Sequence, residues 1–218
     1  MDVSKVIPFL LFYPGLLFSF SFHESAHGWV ANKLGDDTAK RLGRITLNPL
    51  PHMSFLGTFL LPIIGFFTAG FVIGWGVPVP VDYRNFKSLK RDILLVALAG
   101  PVSNLFLALI LAGLLHGLAI FFPAWLDAHL NTDGAIFFEA IVQIFILNLA
   151  LAFFNLIPIH PLDGGKVMYG LLPQPLAQSF DRFMARYGFL LLLIFLASGA
   201  FRFLVEYPVR FMANLLLS

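Results

Sequence analysis

The chain has 218 residues, of which 59% are hydrophobic and 12% charged, with a formal net charge of +2 and no cysteine. Soluble domains carry about 25% charged residues, so this composition excludes an ordinary soluble globule and marks an integral membrane protein. The small net charge gives no reason to expect a nucleic-acid partner, and the lack of cysteine excludes disulfides, thiolate metal ligands and a cysteine nucleophile.

The first apolar run begins near Ile7 and continues to about Leu34. No small-residue cleavage site interrupts it, so it is expected to be a retained span and not a signal peptide. A polar connection with Lys40, Arg41 and Arg44 follows, and Arg44-Ile45-Thr46-Leu47 alternates as a short strand would. The next apolar segment, 55–75, is broken by Pro62, Gly65, Gly70 and Gly74. In Val77-Pro78-Val79-Pro80-Val81 the two prolines forbid regular helix and favour extended backbone. Arg84, Lys87, Lys90 and Arg91 precede a span from Ile93 to Phe122. The loop 123–134 holds Asp127, His129 and Asp133 but no Lys or Arg. A further span, 135–157, is stopped by Pro158 and Pro161. A short helix is predicted over 166–172, an interfacial amphipathic helix over 174–186, and a last span from Gly188 to about Val205. The expected fold is an all-α polytopic membrane protein with about five to six transmembrane or re-entrant helices and short membrane-associated β segments. It forms a single domain, 1–218, with a core over about 7–172 and C-terminal helices over 174–218.

Loops rich in Lys and Arg mark the cytoplasmic side of a membrane protein. The stretches 36–44, 84–91 and 166–186 are basic, which puts the C-terminal end of the first span inside a cell membrane that the chain crosses several times. Two of these stretches flank 55–75, so that segment must make a return excursion. It is either re-entrant, or it crosses and comes back through protein-lined space.

Within the first span lies His23-Glu24-Ser25-Ala26-His27. This H-E-x-x-H pattern puts two imidazoles one helical turn apart on one face with a carboxylate beside them. Ionisable residues at that depth are costly and are functional by default. Two histidines and a glutamate in this order suit a zinc ion and a general base, and the zinc then needs a third protein ligand. Because the motif sits about two turns from the cytoplasmic end of its span, the third ligand belongs near the cytoplasmic end of another. Asp163 meets that condition, in Pro158-Ile159-His160-Pro161-Leu162-Asp163-Gly164-Gly165. Asp163 also suits a helix N-cap. His160, in the same break, and His52, in the stiff turn Asn48-Pro49-Leu50-Pro51-His52, are rival ligands that equally suit structural roles. Asn155 suits either an interhelical hydrogen bond or the binding of a developing oxyanion. Gly100, Pro101 and Asn104 read first as a close helix approach, a kink and a polar contact across helices. Ser19, Ser21, Ser25 and Asn32 are candidates to line a water path.

Three motifs in order carry a family resemblance: His23-Glu24-Ser25-Ala26-His27, Ala99-Gly100-Pro101-Val102-Ser103-Asn104, and Asn155…Pro158…Leu162-Asp163-Gly164. Together they resemble the site-2 protease family of intramembrane metalloproteases, in its compact prokaryotic form without a PDZ module. The resemblance covers about residues 7–172. It implies one zinc ion per chain on His23, His27 and Asp163, Glu24 as the catalytic glutamate, and Asn155 near the reacting centre. It also implies substrates that are membrane proteins with a transmembrane helix. The chain departs from the family's pattern at Ser54, where aspartate is expected, at His160, where proline is usual, and at Val77, where a basic residue is expected.

The reading that follows is a zinc-dependent intramembrane endopeptidase acting on transmembrane helices of membrane proteins in a lipid bilayer. The alternatives are a non-hydrolytic membrane metal-binding or transport protein, and an inactive scaffold that grips helices. Glu24 separates the first two, since transport needs no carboxylate beside the ligands. The sequence is silent on oligomeric state.

Overall fold

A computed structural model describes residues 5–69, 72, 74–124, 128 and 135–218. Asp127, His129 and Asp133 lie outside the described residues.

Helix α1, Val6–Leu34, has 29 residues. At 1.5 Å per residue it is about 43 Å long, enough to cross a hydrocarbon core and protrude. It stops at Gly35, whose φ of 114° is open to glycine and strained for other residues, and the next N–H, of Asp36, returns to Ala31 O at 2.9 Å. The short α2, Thr38–Arg41, and a 3-10 turn, Leu50–His52, follow. A π turn, Phe55–Leu60, runs into α3, Leu61–Ala69. Pro62 follows directly on the π turn and has no N–H to give the preceding carbonyls, of which Gly57 O is met by Trp75 N instead. Helix α4, Leu89–Phe121, carries Pro101 in its middle, and α5 spans Ala135–Asn155. The remaining helices are α6, Asp163–Leu171, α7, Gln174–Ala197, and α8, Tyr207–Leu217, which a π turn, Arg202–Glu206, precedes.

Three of these helices, α1, α4 and α5, are long and apolar enough to cross a membrane. The α7–α8 pair, bent by 81°, makes up to four if it counts as one span. The chain is thus an all-helical, multi-pass membrane protein. Helices α1, α4 and α5 pack on one another, α6 packs on α4, and α8 on α5. Phe145 and Leu149 of α5 are fully buried and join Ala108 and Ala112 of α4 to Phe195, Val205 and Val209 in one apolar cluster. Small residues on α4 let the helices approach closely, which is how helices associate where lipid offers no hydrophobic drive.

The expected β segments are not formed; there is no strand among the described residues. Residues 77–81 run without a regular element, but Pro78 and Pro80 have no N–H to place in a ladder. Their neighbours are held by side chains and single bonds instead. Val77 N donates to His52 O at 2.8 Å, and the Arg44 guanidinium donates to Val77 O at 2.7 Å and Pro78 O at 3.3 Å. Thr46, in the other expected strand, is tied to Ser25 and His52. The sequence boundary at residue 187 also disappears. Helix α7 continues through Gly188, where a Cβ would lie 2.6 Å from His160 O, so glycine here serves close packing and not a break. The 55–75 segment returns on itself, with Trp75 N donating to Gly57 O at 3.1 Å.

Candidate metal centre

His23 and His27 share one face of α1 because they are four residues apart, and both are buried. Gly100 of α4 faces them. A Cβ at that position would collide with Nε2 of both imidazoles, so its absence lets α4 close over the motif. Asp163 opens α6 immediately after the Pro158–Pro161 break. Its side chain does not cap the helix, and the carboxylate turns instead to the two imidazoles. Asp163 Oδ2 lies 3.0 Å from His23 Nε2 and 3.2 Å from His27 Nε2, and the two Nε2 atoms are 3.1 Å apart.

The other ring nitrogens decide the tautomer of each ring when it is neutral. His27 Nδ1 donates to the carbonyl of Val96 at 2.6 Å, and a carbonyl can only accept. His23 Nδ1 donates to Asn104 Oδ1 at 2.5 Å. With both protons on Nδ1, each neutral ring presents a lone pair at Nε2. Three lone-pair atoms then converge within 3.2 Å of one another. Such a triangle is repulsive by itself and suits a shared cation. Ligands of tetrahedral zinc at about 2.0–2.1 Å stand about 3.3 Å apart, close to the spacing found. Among the described residues this is the group of His, Asp and Glu able to hold a metal.

The site opens into a cavity of about 790 Å³. Its walls include Phe20 and Glu24 of α1, Trp75, Pro78 and Val79, Asn155 at the end of α5, His160, Lys166 of α6, and Met184 and Phe189 of α7. Glu24 faces this cavity beside the histidines, and its Oε2 accepts the backbone N–H of Val79 at 2.8 Å.

The profile of Peptidase family M50 matches residues 129–195. A Bacillus subtilis protein named "Putative zinc metalloprotease YwhC" is 39% identical over 193 residues, covering 87% of this chain and 80% of that one. "Putative zinc metalloprotease Rip2" of Mycolicibacterium smegmatis is 31% identical over 201 residues, covering 91% and 71%. The chain belongs to peptidase family M50. Stage IV sporulation protein FB of Bacillus subtilis, 29% identical over 106 residues, covers 49% of this chain and 31% of its own. No solved structure matches.

Membership of M50 bears out the resemblance to site-2 proteases and makes the chain an intramembrane zinc metalloprotease. The cofactor is zinc, and the donor set found in this M50 chain fits it. His23, His27, Glu24, Asn155 and Asp163 all reach one cavity. The rival ligands do not join the group. His52 donates from Nε2 to Thr46 O at 3.0 Å, and burial holds its pKa below the ordinary value. His160 stands 3.9 Å from Asp181 Oδ1, and burial lowers its pKa too. Asn155 Nδ2 donates to Leu151 O at 3.0 Å, within its own helix. The hydroxyls of the three serines are taken up by backbone carbonyls. Ser19 and Ser21 bond to carbonyls of their own helix at 2.7 and 2.8 Å, and Ser25 bonds to Thr46 O.

Sequence reasoning missed two features of this M50 site. One is the Val79 N–H on Glu24, which only the folded path of 74–81 reveals. The other is Asn148, fully buried between the spans beside Asn104. Its signal was available: an amide in an apolar span needs a partner.

Proposed function

We propose that His23, His27 and Asp163 hold one zinc ion and that Glu24 is the general base for hydrolysis of a peptide bond in a substrate's transmembrane segment. The observation that carries this is the convergence of His23 Nε2, His27 Nε2 and Asp163 Oδ2 within 3.2 Å of one another, beside a carboxylate that opens on the same cavity. Zinc, when bound, supplies the Lewis acidity that activates water and polarises a carbonyl.

The protein's own groups do the rest. Nδ1 of each histidine is committed to a fixed acceptor, so Nε2 stays available as a ligand. The Val79 N–H orients Glu24 towards the cavity. Glu24 takes a proton from the attacking water and returns it to the nitrogen of the departing amine, which balances the reaction as one water consumed and one peptide bond cleaved. Asn155 uses one amide hydrogen on Leu151 O and keeps a second for the oxygen of the scissile carbonyl as its charge grows. The apolar walls given by Phe20, Phe154, Met184 and Phe189 suit a transmembrane segment that has locally unwound.

The active site lies towards the cytoplasmic side. What supports this is the basic character of the stretches 36–44, 84–91 and 166–186, which flank the segments carrying the site as cytoplasmic loops would. The 55–69 stretch is re-entrant, because its neighbour Trp75 returns to Gly57 after a helix too short to cross. Residues 1–218 act as one domain, in which the C-terminal helices share the α4–α5 apolar cluster. Zinc stoichiometry of purified Asp163→Ala tests the ligand set. The expected result is loss of the bound zinc, and retention of one zinc per chain contradicts it.

A further inference from the structure

A line of buried side chains runs from His23 into the three-helix core and ends on a backbone carbonyl. His23 Nδ1 lies 2.5 Å from Asn104 Oδ1. Asn104 Nδ2 donates to Asn148 Oδ1 at 2.9 Å, and Asn148 Nδ2 donates to Ser19 Oγ at 2.9 Å. Ser19 Oγ donates to Gly15 O at 2.7 Å. The second amide hydrogens are also placed, on Ser19 O at 3.4 Å and Ile144 O at 2.8 Å. Asn104, Asn148 and Ser19 are each 0% exposed.

This line has one direction. The carbonyl of Gly15 can only accept, so the Ser19 hydroxyl hydrogen is committed to it and the lone pairs of Ser19 face Asn148. Asn148 therefore presents its NH₂ to Ser19 and its oxygen to Asn104. Asn104 in turn presents its NH₂ to Asn148 and has only its oxygen left for His23. A protonated Nδ1 is the one partner that satisfies it. Turning a single amide over would set two donors or two acceptors face to face in a water-free interior, which buried polar groups avoid. A contact that served only to join helices would not need this polarity, nor would it end on a ring nitrogen of the metal motif.

We propose that Asn104 is a positioning residue that fixes the tautomer and ring orientation of His23, and that Asn148 and Ser19 set the polarity of Asn104. The inference rests on the reading of His23 as a metal ligand. Its consequence is that the three membrane helices must be docked before His23 offers Nε2 as a lone pair, so that metal affinity reports the packing of α1, α4 and α5.

The test uses the full chain in lipid nanodiscs with zinc alone as the probe, titrated against a chelator. Asn104→Leu removes the acceptor and is expected to weaken zinc binding about 10–100-fold. Asn104→Asp keeps an acceptor beside Nδ1. The other oxygen of the buried acid, protonated, donates to Asn148 Oδ1 in place of the amide, and zinc affinity is expected within about threefold of wild type. Asn104→Leu at wild-type affinity overturns the inference, as does Asn104→Asp binding as weakly as Asn104→Leu. If Asn104→Leu does not fold, ¹⁵N-histidine spectra of the zinc-free wild type decide. His23 protonated on Nδ1 is expected, and protonation on Nε2 overturns the inference. His23→Ala separates the two readings: unchanged zinc affinity there removes the ligand assignment itself, whereas its loss leaves the role of Asn104 to be judged by the Leu and Asp variants.

Discussion

Val79 donates its backbone N–H to the Glu24 carboxylate at 2.8 Å, across 55 residues of sequence. The bond ties the proposed general base to an irregular segment whose prolines deny it a place in any sheet. That segment is braced by the Arg44 guanidinium on Val77 O and Pro78 O and by the His52 carbonyl on Val77 N. The orientation of Glu24 therefore depends on a basic residue 20 positions away that does not line the cavity.

Loosening this brace should slow cleavage without removing the metal. Arg44→Met is expected to lower kcat/KM for a single-span substrate by about tenfold, as a misplaced catalytic group does. Arg44→Lys, with a single point of attachment, should fall between. Zinc content should stay at the wild-type level in both. Loss of zinc in Arg44→Met would show that the brace holds the ligands and not Glu24.

Gly100 admits the two imidazoles beneath α4. A methyl group there has no room, and either α4 or the rings must shift, at a cost of about 1–3 kcal/mol. Gly100→Ala is expected to weaken zinc binding by at least about tenfold while the helical content is retained. The check is chelator competition together with circular dichroism.

Asn155→Ala removes the amide proposed to meet the developing oxyanion. Expected is a fall in kcat of about 10²–10³ with KM and zinc content nearly unchanged. If kcat is unchanged, Asn155 serves only its bond to Leu151 O.

Asp36 gives a pH dependence outside the spans. It is fully buried at the end of α1. Its carboxylate accepts from Thr38 N, Thr38 Oγ1, Asn85 Nδ2 and Asp82 N. Burial alone raises its pKa, but these four bonds outweigh it and hold the pKa below the ordinary carboxylate value. A depressed folded pKa stabilises the fold above the unfolded value of about 3.9, and that contribution is lost as pH falls through the folded value. Asp36→Asn should cost about 2 kcal/mol at pH 7. It should also flatten the decline of the thermal midpoint below about pH 4. A decline parallel to wild type would assign the acid sensitivity to another group.

The elements legible in the sequence are those that a helical period or a break specifies locally. His23 and His27 share a face by spacing alone, and Asp163 was marked by the prolines that end α5. The position of Glu24 in the cavity followed from its place in the motif. What was not legible depends on partners far along the chain. Val77 to Val81 reads as a strand because extended backbone and valine suggest one, but a strand also needs free N–H groups and an aligned neighbour, and Pro78 and Pro80 withhold the first. Gly188 reads as a helix boundary, yet it is the place where α7 lies against His160. Asn104 reads as a generic interhelical contact until Asn148, Ser19 and His23 are brought to it from other helices. Ser19 and Ser21 read as a water path until their hydroxyls are found bonded within α1.

The most direct test of the central claim is cleavage of a single-span membrane protein by purified wild type and Glu24→Gln, with zinc measured in both. The substitution keeps the size of the side chain and removes its ability to take a proton. The account predicts one zinc per chain in each protein, and turnover in Glu24→Gln lower by at least about 10²-fold. Cleavage at the wild-type rate by zinc-loaded Glu24→Gln would contradict it.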